Sequence, residues 1–190
     1  MESNQLIQLS AEQLEELLGK AAEIGANAGI TRYQNEQKMS RKKKSDKRLR
    51  NTKLLLRNFR MLEMNAENSV FGRSQMGESA ADILDDMMNL YNDQLIVDSI
   101  RDSATRTAII IAHVRNMLEI YEICCERSSN ELDIRRYDVL DKLYISDEAV
   151  SRKELAKKWG VSSDTTYADE KIAIERLSAL IFGVDGLSVQ

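Results

Sequence analysis

The sequence contains no proline, eight glycines and one histidine in 190 residues. An average chain carries about 5% proline, and proline punctuates turns, edge strands and rigid loops. Its absence argues against a Pro-rich linker, a polyproline ligand, a collagen-like repeat and a loop-heavy β-sandwich. It favours long helices joined by short polar turns. Apolar residues make up 43% of the chain, close to the globular norm, so wholesale disorder is not expected.

Cysteine is equally scarce. Cys124 and Cys125 are the two in the chain, and sequence neighbours rarely meet disulfide geometry. They read as reduced thiols in a cytosolic helix. Two cysteines and one histidine do not make a four-ligand zinc site without carboxylates, and the sequence calls for no metal and no cofactor. Long apolar runs are missing too. The longest, Ala108 to Ala112 between Arg106 and Arg115, is far short of the roughly 20 residues of a membrane span. The opening MESNQLIQLSAEQLEELLGK is acidic and lacks the apolar region of a signal peptide. A soluble cytoplasmic protein with no membrane partner is expected.

What is present is a charge asymmetry. The formal net charge is −4, but Lys38 to Arg60 holds eleven Lys/Arg against one acid, Asp46, a local +10. The remainder has 16 basic and 30 acidic residues, hence −14. A basic block on an acidic body contacts nucleic acid or stays solvated.

Helical periodicity runs through the chain. Ser10 and Gln13 have capping-box spacing ahead of Leu14, Leu17, Leu18, Ala21 and Ala28, so a first helix is predicted from about Ala11. Within the basic block, Leu55, Phe59, Leu62 and Ala66 form one stripe, and Arg50, Lys53, Arg57 and Arg60 form a second, roughly opposite at about 100° per residue. One face would pack on the body. The other would offer a row of cations to phosphates. The neighbouring Arg41–Lys44 run reads as a flexible arm.

Gly72 and Gly77 bracket a break. Ser79 can cap one helix carrying Ile83, Leu84, Met87, Met88, Tyr91, Leu95 and Ile96. Another helix is predicted from about Ser103 to Arg127, with the Ala108–Ala112 run at the centre of a bundle. These apolar helices exceed what one small core needs, which leaves room for a homodimer. Ser128-Ser129-Asn130 is a polar joint, with Asn130 as an N-cap. The predicted organisation is all-α: a helical bundle over 1–128, with its basic segment at 38–60, followed by a helix-turn-helix domain over 129–190.

The second domain carries the functional signal. Ile134, Tyr137, Leu140 and Tyr144 mark one helix. Ser151 and Glu154 form a capping box opening a short second helix that ends at Trp159-Gly160. Ser162 or Ser163 caps a third, running to about Phe182-Gly183. Two steeply crossing helices need a small residue where they touch, which is Ala156. They also need positive φ in the turn four residues later, which is Gly160. Val161 plugs the gap between them. In a DNA-binding module the N-terminal residues of the second helix enter the major groove. The base-reading candidates are Ser162, Ser163, Asp164, Thr165, Thr166, Tyr167 and Lys171, whose hydroxyls and methyl groups suit base edges. Arg152, Lys153, Lys157 and Lys158 join Arg50, Lys53, Arg57 and Arg60 as phosphate candidates.

Residues 131–184 resemble the C-terminal module of phage and prophage late-gene regulators of the ArpU/RinA type, which is similar in turn to the promoter-reading helix-turn-helix of sigma-70-like factors. The features that carry the resemblance are Tyr137, Leu140 and Leu143-Tyr144, then Ser151 with Glu154-Leu155-Ala156. Val161-Ser162, Thr165-Thr166-Tyr167 and the Ala173-Ile174, Leu177 tail complete it. The stretch Arg48–Leu56 resembles the corresponding stretch of such proteins as well. The resemblance implies a transcription regulator bound to a promoter-proximal duplex, with RNA polymerase as a second partner. One departure stands out. Such reading helices often carry Arg or Lys after the tyrosine, whereas here Ala168 is followed by Asp169 and Glu170, making the helix acidic with Asp164.

Enzyme chemistry finds no footing. Asp85-Asp86 point apart on a helix, and Asp138 and Asp141 share one face. His113 has no spacing that completes a triad. Phosphate-binding, dinucleotide-binding and zinc-protease motifs are all missing. Two other readings remain beside the regulator: a small-terminase-like adaptor for packaging phage DNA, and a protein–protein adaptor that binds RNA polymerase without DNA.

Overall fold

A computed structural model describes residues 10–67, 79–90, 92–101, 103–148 and 150–183. The described elements are all helices, with no strand among the described residues. Seven α-helices follow in order: α1 (Ala11–Glu67), α2 (Ala80–Asn89), α3 (Asp93–Arg101), α4 (Ala104–Ser128), α5 (Glu131–Leu140), α6 (Arg152–Trp159) and α7 (Ser163–Phe182). A single π-helical turn over Asp141–Ile145 follows α5 directly. No helix among the described residues is long and apolar enough to cross a membrane. The predicted break between Gly72 and Gly77, and Tyr91 of the predicted third helix, lie outside the described residues.

The chain divides into two compact units, residues 1–43 and 44–190. The division falls inside the basic segment rather than at the Ser128–Asn130 joint. That joint is a real local reversal: Ser129 sits at φ +49°, and the Asn130 side chain accepts from the Leu132 amide at 3.0 Å. The segments on its two sides nevertheless share one core. Phe59, Leu62, Ile83, Met87, Ile110 and Val114 are buried in the same cluster as Leu140, Ala173, Ile174, Leu177 and Ile181.

In the first unit, α1 starts where the capping box places it. The Ser10 amide donates to Gln13 Oε1 at 3.0 Å, and the Gln13 amide to Ser10 Oγ at 3.2 Å. Every residue from Ser10 to Lys43 is exposed. Gly19, Gly25 and Gly29 within it each weaken a helix by about 1 kcal/mol relative to alanine. The Arg41–Lys44 run, expected as a flexible arm, lies in α1 as regular helix. Proline-free sequence lets the hydrogen-bond ladder pass through it without interruption.

In the second unit, α1 is buried on more than the one predicted stripe. Leu54, Leu55, Leu56, Phe59 and Leu62 are in the core, and Arg48, Asn51 and Thr52 are buried with them. The predicted third helix is two helices. Asn89 ends α2, and Asn92 opens α3 by accepting from the Gln94 amide at 2.9 Å. Between them Leu90 is extended (φ −82°, ψ 140°). Its carbonyl, freed from the ladder, accepts from Arg50 Nη2 at 2.8 Å. A local asparagine cap and a distant arginine together favour the break.

Helix α4 agrees closely with the predicted span, with Ser103 as its N-cap. Its Ala108–Ala112 run is not buried all round: Ile110 and Ile111 are in the core, whereas Ala112 is exposed. His113 is half-buried and spends its Nε2 on the Ile181 carbonyl at 3.1 Å, tying α4 to the end of α7. Cys125 is buried and Cys124 exposed, both as free thiols.

Candidate nucleic-acid interface

The α6–turn–α7 unit is built from strong local signals. Ser151 Oγ accepts from the Glu154 amide at 3.3 Å while the Ser151 amide donates to Glu154 Oε2 at 2.8 Å, a complete capping box. Helix α6 ends on Gly160 at φ +61°, ψ 31°. A side chain at that left-handed position is strained for any L-residue. The Val161 amide reaches back to the Ala156 carbonyl at 2.9 Å, the bond pattern that closes a helix through a left-handed residue. Ala156 is buried, as a close helix–helix approach requires. Of the two serines offered as caps, Ser162 is the one: its Oγ accepts from the Thr165 amide at 3.0 Å.

Ion pairs then bolt the three helices together. Arg152 on α6 donates to both oxygens of Glu170 on α7, at 2.5 and 2.8 Å. Tyr144 on the π turn adds a third hydrogen bond to Glu170 at 2.6 Å. Burial would raise the Glu170 pKa, but the Arg152 and Tyr144 hydrogen bonds and the Arg152 charge outweigh it and hold the carboxyl below its usual range. The same site pushes the Tyr144 phenol up to about 12, through burial and then through the Glu170 bond. Asp169 is gripped by Arg135 at 2.7 Å and Arg136 at 3.3 Å, both from α5. Asp138 on α5 takes Lys158 Nζ at 2.7 Å and the Trp159 indole N–H at 2.7 Å.

These bonds sort the candidate residues. Asp169 and Glu170 are 3% and 5% exposed, so the acids that made the reading helix look unsuited to DNA face inward and are neutralised by arginines. Asp164 is the acid left in the first turn of α7, where the helix dipole favours a carboxylate. Ser162, Ser163, Asp164, Tyr167 and Lys171 are exposed, Tyr167 at 63%. Thr165 is half-exposed, and its hydroxyl lies 2.9 Å from that of Ser162. Thr166 is corrected. At 1% exposure, with its hydroxyl donating to the Ser162 carbonyl at 3.2 Å, it belongs to the core and offers nothing outward.

The phosphate candidates divide in the same way. Lys153 and Lys157 are exposed. Arg152 and Lys158 are committed to Glu170 and Asp138. On α1, Arg57 is exposed and Lys53 half-buried. Arg50 is spent on the Leu90 carbonyl, with Asp93 at 3.8 Å. Arg60 donates Nε to the Ser146 carbonyl at 3.0 Å, and its Nη2 is buried. The expected outward row of four cations is therefore not a row. Two of its members tie α1 to the α2–α3 corner and to the end of the π turn. Sequence reading gave no site role to Lys38, Arg41, Lys42, Lys43 and Lys44, which are all exposed along α1. Their uninterrupted, proline-free run was the available signal.

Comparison of the chain with family models, with curated proteins and with solved structures returns no match.

Proposed function

We propose that the protein is a DNA-binding transcription regulator that reads promoter-proximal duplex DNA through α6, the Gly160 turn and α7. The observation that carries this reading is the sorting of charge in that unit. The two acids that follow Tyr167 on α7, Asp169 and Glu170, are turned inward onto arginines, whereas Ser163, Asp164, Tyr167 and Lys171 stay in solvent with Lys153 and Lys157 on the preceding helix. Hydroxyl and phenol groups at the start of the second helix suit base edges, and flanking lysines suit phosphates.

Arg57 and the Lys38 to Lys44 cations add sequence-independent affinity. The likeness of residues 131–184 to sigma-like modules of late-gene regulators supports the same assignment and adds RNA polymerase as a second partner. The test is a titration of duplex DNA across salt concentrations with the wild type and with a Tyr167→Ala/Lys171→Ala variant. The regulator reading expects steeply salt-dependent binding, and a sequence preference that the variant loses.

A further inference from the structure

A small cavity lies between α4 and α7. Tyr121, Cys124 and Cys125 line it from α4, and Arg176, Ala179 and Leu180 from α7. Each set stands at positions i, i+3 and i+4, so each occupies one face of its helix. Asp133 of α5 completes the wall. The volume is about 240 Å³. Interiors are normally packed without such voids. Here an alanine and two cysteines are too small to fill the space between the two helices.

The walls are apolar but for one group. Arg176 is paired with Asp133, so the charges on the wall offset each other. Burial raises the pKa of the Cys125 thiol, which keeps it neutral. Tyr121 is 3% exposed, and burial pushes its phenol up to about 12. Its hydroxyl is buried and has no partner of hydrogen-bond geometry, although Arg176 acts on it electrostatically. A buried hydroxyl left this way is uncommon in a native protein. Cys124 is exposed, which places it at the mouth.

We propose that this cavity binds a small neutral aromatic molecule of about two fused rings, which presents a hydrogen-bond acceptor to the Tyr121 hydroxyl. Size and wall chemistry select that class. A dry cavity of about 150 Å³ holds benzene, so the volume here suits a second ring. A charged ligand would lose its hydration and find no unpaired counter-charge on the wall. The Tyr121 ring and the two sulfurs offer polarisable surface to an aromatic. Tyr137 meets the Tyr121 ring edge to face, with 5.5 Å between centres, and holds that ring in place. The site does not involve the exposed Tyr167 and Lys171, and it stands whether or not they read DNA.

The test is calorimetric titration of the full chain with quinoline, a neutral two-ring aromatic with one acceptor nitrogen. Saturable binding with a Kd of about 0.1–1 mM is expected. Tyr121→Phe removes a hydroxyl that has no partner in the fold, and should weaken binding about threefold to tenfold. Cys124→Phe fills the cavity from its exposed mouth, and Ala179→Leu from its buried wall. Either should abolish binding in a chain that circular dichroism shows to be folded. Ala112→Phe, also at an exposed position of α4 but about 18 Å along the helix from Cys124, should bind as the wild type does. Absence of saturable binding up to about 5 mM quinoline would overturn the proposal. So would a filled variant that binds like the wild type, an unchanged Kd for Tyr121→Phe, or weakened binding by Ala112→Phe.

Discussion

Arg152 on α6 grips Glu170 on α7 through two hydrogen bonds, Nε to Oε2 at 2.5 Å and Nη2 to Oε1 at 2.8 Å. This pair joins the two helices of the helix-turn-helix unit and removes a negative charge from its outer face. Glu170 is almost fully buried while the Arg152 side chain is 48% exposed. Taking away the arginine therefore leaves a buried carboxylate with Tyr144 as its remaining donor among the bonds described. Arg152→Ala is expected to destabilise the protein by about 2 kcal/mol, below the range for a fully buried pair because solvent already screens the arginine. Urea unfolding followed by circular dichroism measures it.

The same pair sets a pH dependence. Glu170 has its folded pKa held below the ordinary value of 4.5. Its stabilising contribution is therefore complete above the unfolded value and lost as pH falls through the folded one. The stability gap between wild type and Glu170→Gln should be constant from neutral pH down to about pH 5 and shrink below it. Unfolding curves at a series of pH values check the sign. A gap that widens on acidification would contradict it.

Gly160 is the position where the turn demands positive φ. Gly160→Ala meets no neighbouring atom within 4 Å, so the cost is conformational alone. A loss of about 1–2 kcal/mol is expected, read as a lowered midpoint in thermal unfolding. Gly19→Ala, in open space within α1, should go the other way by firming the helix.

Trp159, the single tryptophan of the chain, reports on its own surroundings. Its indole N–H donates to Asp138 at 2.7 Å, with the Lys158 ammonium 5.5 Å from the ring centre. Asp138→Ala removes the acceptor for both groups and should destabilise by about 1–2 kcal/mol. The fluorescence maximum should shift in the native state. Asp85→Ala, at an exposed position on α2, should leave the spectrum unchanged.

Much of this fold was legible because its signals are local. The Ser10 and Ser151 capping boxes, the Ser79 and Asn130 caps and the Gly160 turn all depend on residues within one helical turn, and each stands where the local sequence placed it. What spacing did not disclose were partners far away in sequence. Arg50 and Lys53 share a periodic stripe, yet Arg50 meets the Leu90 carbonyl forty residues on. Asp169 and Glu170 read as exposed acids because the arginines that bury them lie on α5 and at the start of α6. The α2–α3 break is hidden in another way. Apolar periodicity continues across it, while the asparagine cap and the arginine bond that favour it carry no periodic signature.

If α6 and α7 present a DNA-reading face, the salt dependence of duplex binding should differ between wild type and Lys153→Glu/Lys157→Glu, with Arg50→Ala as a control. The double variant is expected to bind every sequence more weakly. Its log–log salt slope should be shallower by about 2, one unit for each lost phosphate contact. Arg50→Ala, whose side chain is spent inside the protein, should lower stability and leave the slope unchanged. A wild type that fails to bind duplex DNA even at about 50 mM salt, or a double variant with the wild-type slope, would contradict a DNA-reading face.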